Sequence, residues 1–168
     1  MKKEIFAIAL LLTVFISAKS QTVSLAGLLG KVTCKEFSCF NDYIVKQDFS
    51  FVNNRPLDNG TQYLFMSNKR YPVTSKPELE MNNIADFTIY NSGSFSYSIG
   101  FRTTDSPTYQ KLLTELTTLR FTNSKTTNLE GGSVEVKYVS PKYLHLFINV
   151  TTQIVKSANN YDYTAYAF

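Results

Sequence analysis

Between Pro107 and Phe121 the sequence reads PTYQKLLTELTTLRF, with apolar side chains at Tyr109, Leu112, Leu113, Leu116 and Leu119. That i, i+3, i+4, i+7 spacing gathers them on one face of an α-helix, while Lys111, Thr114 and Glu115 point away, so the helix must bury a stripe in a core. Ser106 suits the N-cap and Pro107 the first helical position, where a missing N–H costs nothing. Asp105 stands beside the start, placed to cap the helix or to favour its dipole. Leu119 and Phe121 are expected to begin a strand directly, and the rest of the chain to be arranged around this segment.

Upstream, Ser24 to Gly30 (SLAGLLG) predicts a short docking helix with Leu25, Leu28 and Leu29 on one side, ended by Gly30. Thr33 and Glu36 form a T-x-x-E capping box that opens a helix to about Gln47, with Phe37, Phe40 and Ile44 facing one way. That helix feeds the strand-like run Phe49 to Val52. A turn over Arg55 to Gly60 and a return strand through Tyr63 and Phe65 predict a hairpin with a longish loop. Asn68 to Asn83, polar and carrying Pro72 and Pro77, reads as an irregular connection. Strands follow at about Ile84–Asn91 and Ser94–Thr103, the second with Phe95, Tyr97, Ile99 and Phe101 on one face and Ser94, Ser96, Ser98, Gly100 and Arg102 on the other. After the second helix, Thr122 to Gly132 reads as a loop, Val134 to Tyr138 as a strand, and Leu144 to Val150 as a strand with Tyr143, His145 and Phe147 on its aromatic side. Tyr161 to Phe168 forms the last strand.

The two halves share one order of elements. Phe37, Phe40 and Ile44 match Tyr109, Leu112 and Leu116 at an offset of 72, Phe49 and Phe51 match Leu119 and Phe121 at 70, and Tyr63 and Phe65 match Val134 and Val136 at 71. Such self-similarity predicts an α+β protein of two tandem helix-plus-four-strand antiparallel units, residues 21–104 and 105–168, with helices packed on one face of the sheets. As a layout this resembles the tandem α/β modules of the secreted β-lactamase-inhibitor proteins; no motif is shared, and no residue role is carried over.

Residues 1–20 are expected to be a cleaved signal peptide. Lys2 and Lys3 supply a basic start, Ile5 to Ile16 an apolar run, and Ala18-Lys19-Ser20 a small-x-small cleavage signal, so Gln21 becomes the mature N-terminus. The apolar run falls short of the ~20 residues of an ordinary spanning helix. The expected destination is bacterial-type export, to the periplasm or beyond. Of the net charge of +4, half belongs to the signal segment. No Lys/Arg run exceeds Lys69-Arg70, so nucleic acid is not an expected partner. Cys34 and Cys39, the only two cysteines, are a possible disulfide in an oxidising compartment. On a continuous helix they would lie too far apart, so a bridge requires an irregular first turn; two separate buried thiols are the alternative. With the one histidine far away they do not make a zinc site.

No catalytic or cofactor motif is present: G-x-S-x-G, H-E-x-x-H, the P-loop and G-x-G-x-x-G are all lacking. His145, the sole histidine, is the single centre on which a triad or acid/base mechanism could be built, but with no motif around it a lone strand histidine among Tyr143 and Phe147 reads as structural. The carboxylates are scattered, with no pair singled out. The sequons at Asn59 and Asn149 are incidental in a bacterial-type exported chain. The aromatic residues, 13 Phe and 11 Tyr without Trp, read first as the covering of a sheet whose second face is partly buried, with a recognition surface as the alternative, because exposed rings are enriched at interfaces without being confined to them. The candidate binding residues are Tyr143, His145, Phe147, Tyr161, Tyr163 and Tyr166. The expectation is a non-enzymatic binding or inhibitory module, without cofactor or metal, whose partner is another protein or an envelope component. A small outer-membrane β-barrel and a small secreted hydrolase centred on His145 are the alternatives.

Overall fold

The computed structural model describes residues 23–32, 34, 36–74, 76–93, 97–156 and 162–168. The expected signal segment, Thr33 of the capping box, Phe95 and Tyr161 lie outside them. The described elements are α1 (Leu25–Val32), α2 (Phe37–Val45), β1 (Phe49–Leu57), β2 (Gly60–Val73), β3 (Lys76–Tyr90), β4 (Tyr97–Thr103), α3 (Ser106–Thr118), β5 (Thr122–Asn128), β6 (Val134–Val139), β7 (Phe147–Lys156) and β8 (Asp162–Ala167). A short 3-10 turn at Glu130–Gly132 precedes β6.

The strands form a single antiparallel sheet in the order β1-β2-β3-β4-β8-β7-β6-β5. One continuous sheet therefore stands where two were expected, and its join is β4 with β8. Arg102 lies opposite Ala167 and Thr103 opposite Tyr166. Phe101 and Phe168 exchange both backbone hydrogen bonds, at 3.0 and 2.9 Å. β1 and β5 stand at opposite ends of the sheet and do not pair with each other.

All three helices lie on one face. Phe65, Ala85 and Phe101 are register partners across β2, β3 and β4 and so point to the same side. Phe40 of α2 meets Phe65 and Phe87 there, with ring centroids 5.5 and 5.4 Å apart. From α3, Leu112 and Leu116 are 0% and 1% exposed, and Tyr109 stacks on Tyr166 at 3.9 Å. Leu25, Leu28 and Leu29 of α1 join the same core, as the spacing of that helix predicts.

Several boundaries differ from expectation for identifiable reasons. The α3 cap is Asp105, whose carboxylate accepts from the Thr108 N–H at 2.9 Å, and Ser106 is the first helical residue. α2 begins only at Phe37, with Glu36 as an N-cap that makes no side-chain cap bond. Cys34 is bridged to Cys39 with 5.9 Å between Cα atoms, closer than an unbroken helix would hold residues five apart. α1 runs past Gly30 to Val32. Neither α2 nor α3 passes straight into its strand: Asp48 at φ 65° and Arg120 at φ 62° turn the chain first, and the buried Phe49 and Phe121 come next. The Asp48 N–H donates to Val45 and the Arg120 N–H to Thr117, the same three-residue step at both places.

Three stretches expected to be loops are extended. β1 runs to Leu57 and turns over two residues into Gly60. β2 and β3 form a long hairpin through Pro72 and Glu80 to Val73 and Lys76, with register shifts between Met66 and Arg70 and between Pro72 and Val73. Thr122–Asn128 is an edge strand, polar because only β6 pairs with it and nearly all of its side chains face solvent. The reverse holds for Leu144 to Leu146, expected in a strand but occupying a turn in which Leu144 is 80% exposed; β7 starts at Phe147.

Candidate functional site

A cleft opens where the β4–β8 join stops. β8 meets β4 only through Tyr166, Ala167 and Phe168, while β4 extends back through Gly100, Ile99 and Ser98 to Tyr97. On the far side of β8, the register of β7 with it ends at Thr151 and Ala167, and β7 continues back through Val150, Asn149 and Ile148 to Phe147. Among the described residues, Tyr97–Gly100 of β4 and Phe147–Asn149 of β7 thus flank a gap two strand spacings, or roughly 10 Å, across.

α1 roofs this slot on the helix face. Ser24 accepts from the Gly27 N–H at 3.1 Å as its N-cap, and the Glu115 carboxylate of α3 accepts from the Leu25 N–H at 2.6 Å, where a negative charge favours the helix dipole. Glu115 also pairs with Lys111 at 3.9 Å. On its other flank α1 rests on α2: a Cβ at Gly27 would overlap the Tyr43 ring, and burial there pushes the Tyr43 hydroxyl above its ordinary pKa. Fixed from both sides, α1 turns Leu25, Leu28, Leu29 and Val32 toward the slot.

The resulting cavity measures about 480 Å³, within the range of roughly 300–1,000 Å³ usual for ligand pockets. Its helix side is apolar: the α1 leucines, Tyr97, Ile99, Leu146, Ile148 and Phe168. Its other side carries polar groups. Ser98 and Tyr90 share a hydrogen bond of 3.1 Å, and the Asn149 amide oxygen is buried with no hydrogen-bond partner. Among the described lining residues His145, Tyr90 and Tyr97 carry the ionisable side chains, and none is Asp, Glu, Lys or Arg. Among the described residues no group of three or more His, Cys, Asp and Glu could hold a metal ion.

The six residues singled out from the sequence are dispersed. His145 and Phe147 do line the cavity. His145 lies exposed in the turn before β7, and Phe147 sits under Lys137, 4.1 Å from its ring centre. Tyr143 stacks on Phe121 at 5.5 Å as part of the core margin, and Tyr166 is occupied by Tyr109. Tyr163 lies on β8 opposite Val155, at the end away from Phe168, and Tyr161 is outside the described residues. Sequence reading missed Tyr97, Ile99 and Asn149, together with the α1 leucines as lining. The alternation through Tyr97 and Ile99 was a usable signal, but it marked the strand and not the interruption beside it. No protein-family model, no curated protein and no solved structure matches this chain.

Proposed function

We propose that the protein is an exported, non-enzymatic binding module that engages another protein or an envelope component through the cleft between β4 and β7. The observation that carries this reading is the cavity itself: an apolar, helix-roofed slot with a few polar groups on one wall and, among the described residues, no Asp, Glu, Lys or Arg side chain in its lining. Export is argued from the basic and apolar start of the chain, and the Cys34–Cys39 bridge is compatible with an oxidising compartment.

The same reading includes two α-β4 units, at residues 21–104 and 105–168. Two copies joined through their fourth strands would give the order β1-β2-β3-β4-β8-β7-β6-β5. Phe40 and Leu112, Ile44 and Leu116, Asp48 and Arg120, and Phe49 and Phe121 each stand 72 apart in matching roles. The strand match is thus Phe49 with Phe121 at the helix's own offset, rather than at 70. On this view the cleft arises where two similar units abut imperfectly.

Replacing His145 at the cleft rim with a photo-crosslinking residue tests the reading in producing cells. A discrete adduct in the envelope or medium fraction is expected, with none from the same label at Thr126 on the far edge. Turnover of a small substrate abolished by His145→Ala, without any adduct, would overturn it. Mass spectrometry of the exported protein is expected to find Gln21 at its N-terminus.

A further inference from the structure

At the corner of the sheet where β5 begins, β6 ends and β7 starts, the chain exposes apolar side chains among cations. Leu144 stands in the turn before β7 with 80% of its surface exposed. Val139 and Phe147, register partners across β6 and β7, are each 37% exposed. Their chain neighbours Tyr138 and Ile148 pack into the core, so strand alternation turns Val139 and Phe147 to the helix-free side. Single exposed apolar residues are ordinary on a protein surface; what sets these apart is the charge around them.

Lys142 lies over the Tyr143 ring at 5.3 Å and Lys137 over the Phe147 ring at 4.1 Å, so both ammonium groups are held beside the apolar residues. Lys125 is the register partner of Lys137, like charge opposite like, an arrangement that destabilises a sheet. Arg120 is brought to the same corner by its neighbours: the Leu119 carbonyl accepts from the Ser140 hydroxyl at 3.4 Å, and Phe121 stacks on Tyr143. None of these four cations forms an ion pair with a described residue. The two segments that carry them, 116–129 and 136–149, contain no Asp or Glu. The repulsion between Lys125 and Lys137 is therefore unrelieved within the corner, and an anionic surface would relieve it.

We propose that this corner docks the protein on an anionic lipid surface, with Leu144 entering below the headgroups and the four cations lying at the level of the phosphates. The proposal goes beyond the binding-module reading and uses a different surface. Peripheral membrane binding combines apolar area sunk into the acyl boundary with attraction of basic residues to anionic headgroups, and this corner supplies both. The long lysine stems lie along the exposed Phe147 and Tyr143 rings while their charged ends stay in water, as such side chains do at a membrane interface. A protein partner fits less well, because lysine is depleted in protein interfaces and three of the four cations are lysines. Docking in this way also brings the rim of the cleft, at His145 and Leu146, up to the lipid.

Co-sedimentation of the purified protein with phosphatidylcholine vesicles, with and without phosphatidylglycerol, tests the proposal. Binding is expected only where phosphatidylglycerol is present, and is expected to weaken as salt is raised. Leu144→Ser is expected to lower the partition constant about tenfold, through loss of one buried leucine side chain. Lys142→Gln is expected to lower it about fivefold, the effect of one basic residue near such a surface. Because the chain contains no Trp, Leu144→Trp introduces a single reporter whose emission is expected to shift to the blue on vesicle binding. Val45→Trp, at an exposed position on α2 in the first half, is expected to show no shift. No sedimentation with phosphatidylglycerol, equal sedimentation with phosphatidylcholine alone, or a partition constant indifferent to Leu144→Ser would each overturn the proposal. So would an unshifted Leu144→Trp emission on bound vesicles, or equally tight binding to polyglutamate, the pattern an acidic protein ligand would give. The His145 crosslink is unaffected by any of these results, so the cleft reading stands or falls separately.

Discussion

Gly30 and Gly60 look alike in the sequence, each at the edge of an apolar run, and the structure separates them. Gly60 opens β2 so close to β3 that an added Cβ would overlap the Ile89 carbonyl, a backbone atom that cannot swing aside. Gly30 lies inside α1, where a Cβ would meet nothing within 4 Å. Gly60→Ala should therefore destabilise the protein by about 1–3 kcal/mol, the usual cost of overpacking. Gly30→Ala should stabilise it by roughly 0.5–1 kcal/mol, because alanine restricts the unfolded chain and favours the helix. Urea unfolding of the two variants side by side checks both signs.

Elements were legible in proportion to how well one side chain pattern matched one environment. α3 was read closely because its stripe at Leu112 and Leu116 is buried on one side only, and β4 because Tyr97, Ile99 and Phe101 alternate with small polar residues. β5 was not, since an edge strand of Thr, Asn, Ser and Lys carries no apolar period and its polarity imitates a loop. The prolines suggested a break at Asn68–Asn83, yet Pro72 sits in β2 where the register already shifts. Leu144 and Leu146 alternated convincingly, but Tyr143 is held on Phe121 and the chain turns there instead. α2 starts at Phe37, inside the Cys34–Cys39 bridge, so Glu36 precedes the helix instead of standing in its first turn. Closing so short a loop as Cys34–Cys39 is worth about 2 kcal/mol through the unfolded chain. Cys34→Ser with Cys39→Ser should lower unfolding free energy by about that amount, and reductant should do the same to the unaltered protein while leaving the double variant unchanged.

At the scale of the molecule, the cleft was beyond a linear reading because four distant segments make it: α1, the β3–β4 hairpin, the run from His145 through β7, and Ala167 with Phe168. Only the meeting of β4 with β8 reveals that Gly100 and Asn149 stand level with each other across one strand's width. That same junction bears on how the chain folds. The core is a single cluster, in which Phe40, Phe65 and Phe87 from the first half are packed with Leu112, Leu116, Phe121, Ile148 and Val150 from the second. α1 ties both helices to it, through Tyr43 on α2 and Glu115 on α3. A duplicated ancestry would not make the halves independent, because each would have to expose part of this cluster and one edge of its central strand to stand alone. Thermal and urea unfolding should accordingly show one transition, with near-ultraviolet and far-ultraviolet signals coinciding. Phe40→Ala and Leu116→Ala, one in each half, should shift that same transition, by about 3–5 and 2–5 kcal/mol respectively. Two separable transitions, each responding to only one of the substitutions, would instead mean that the β4–β8 join is a docking contact between units that fold separately.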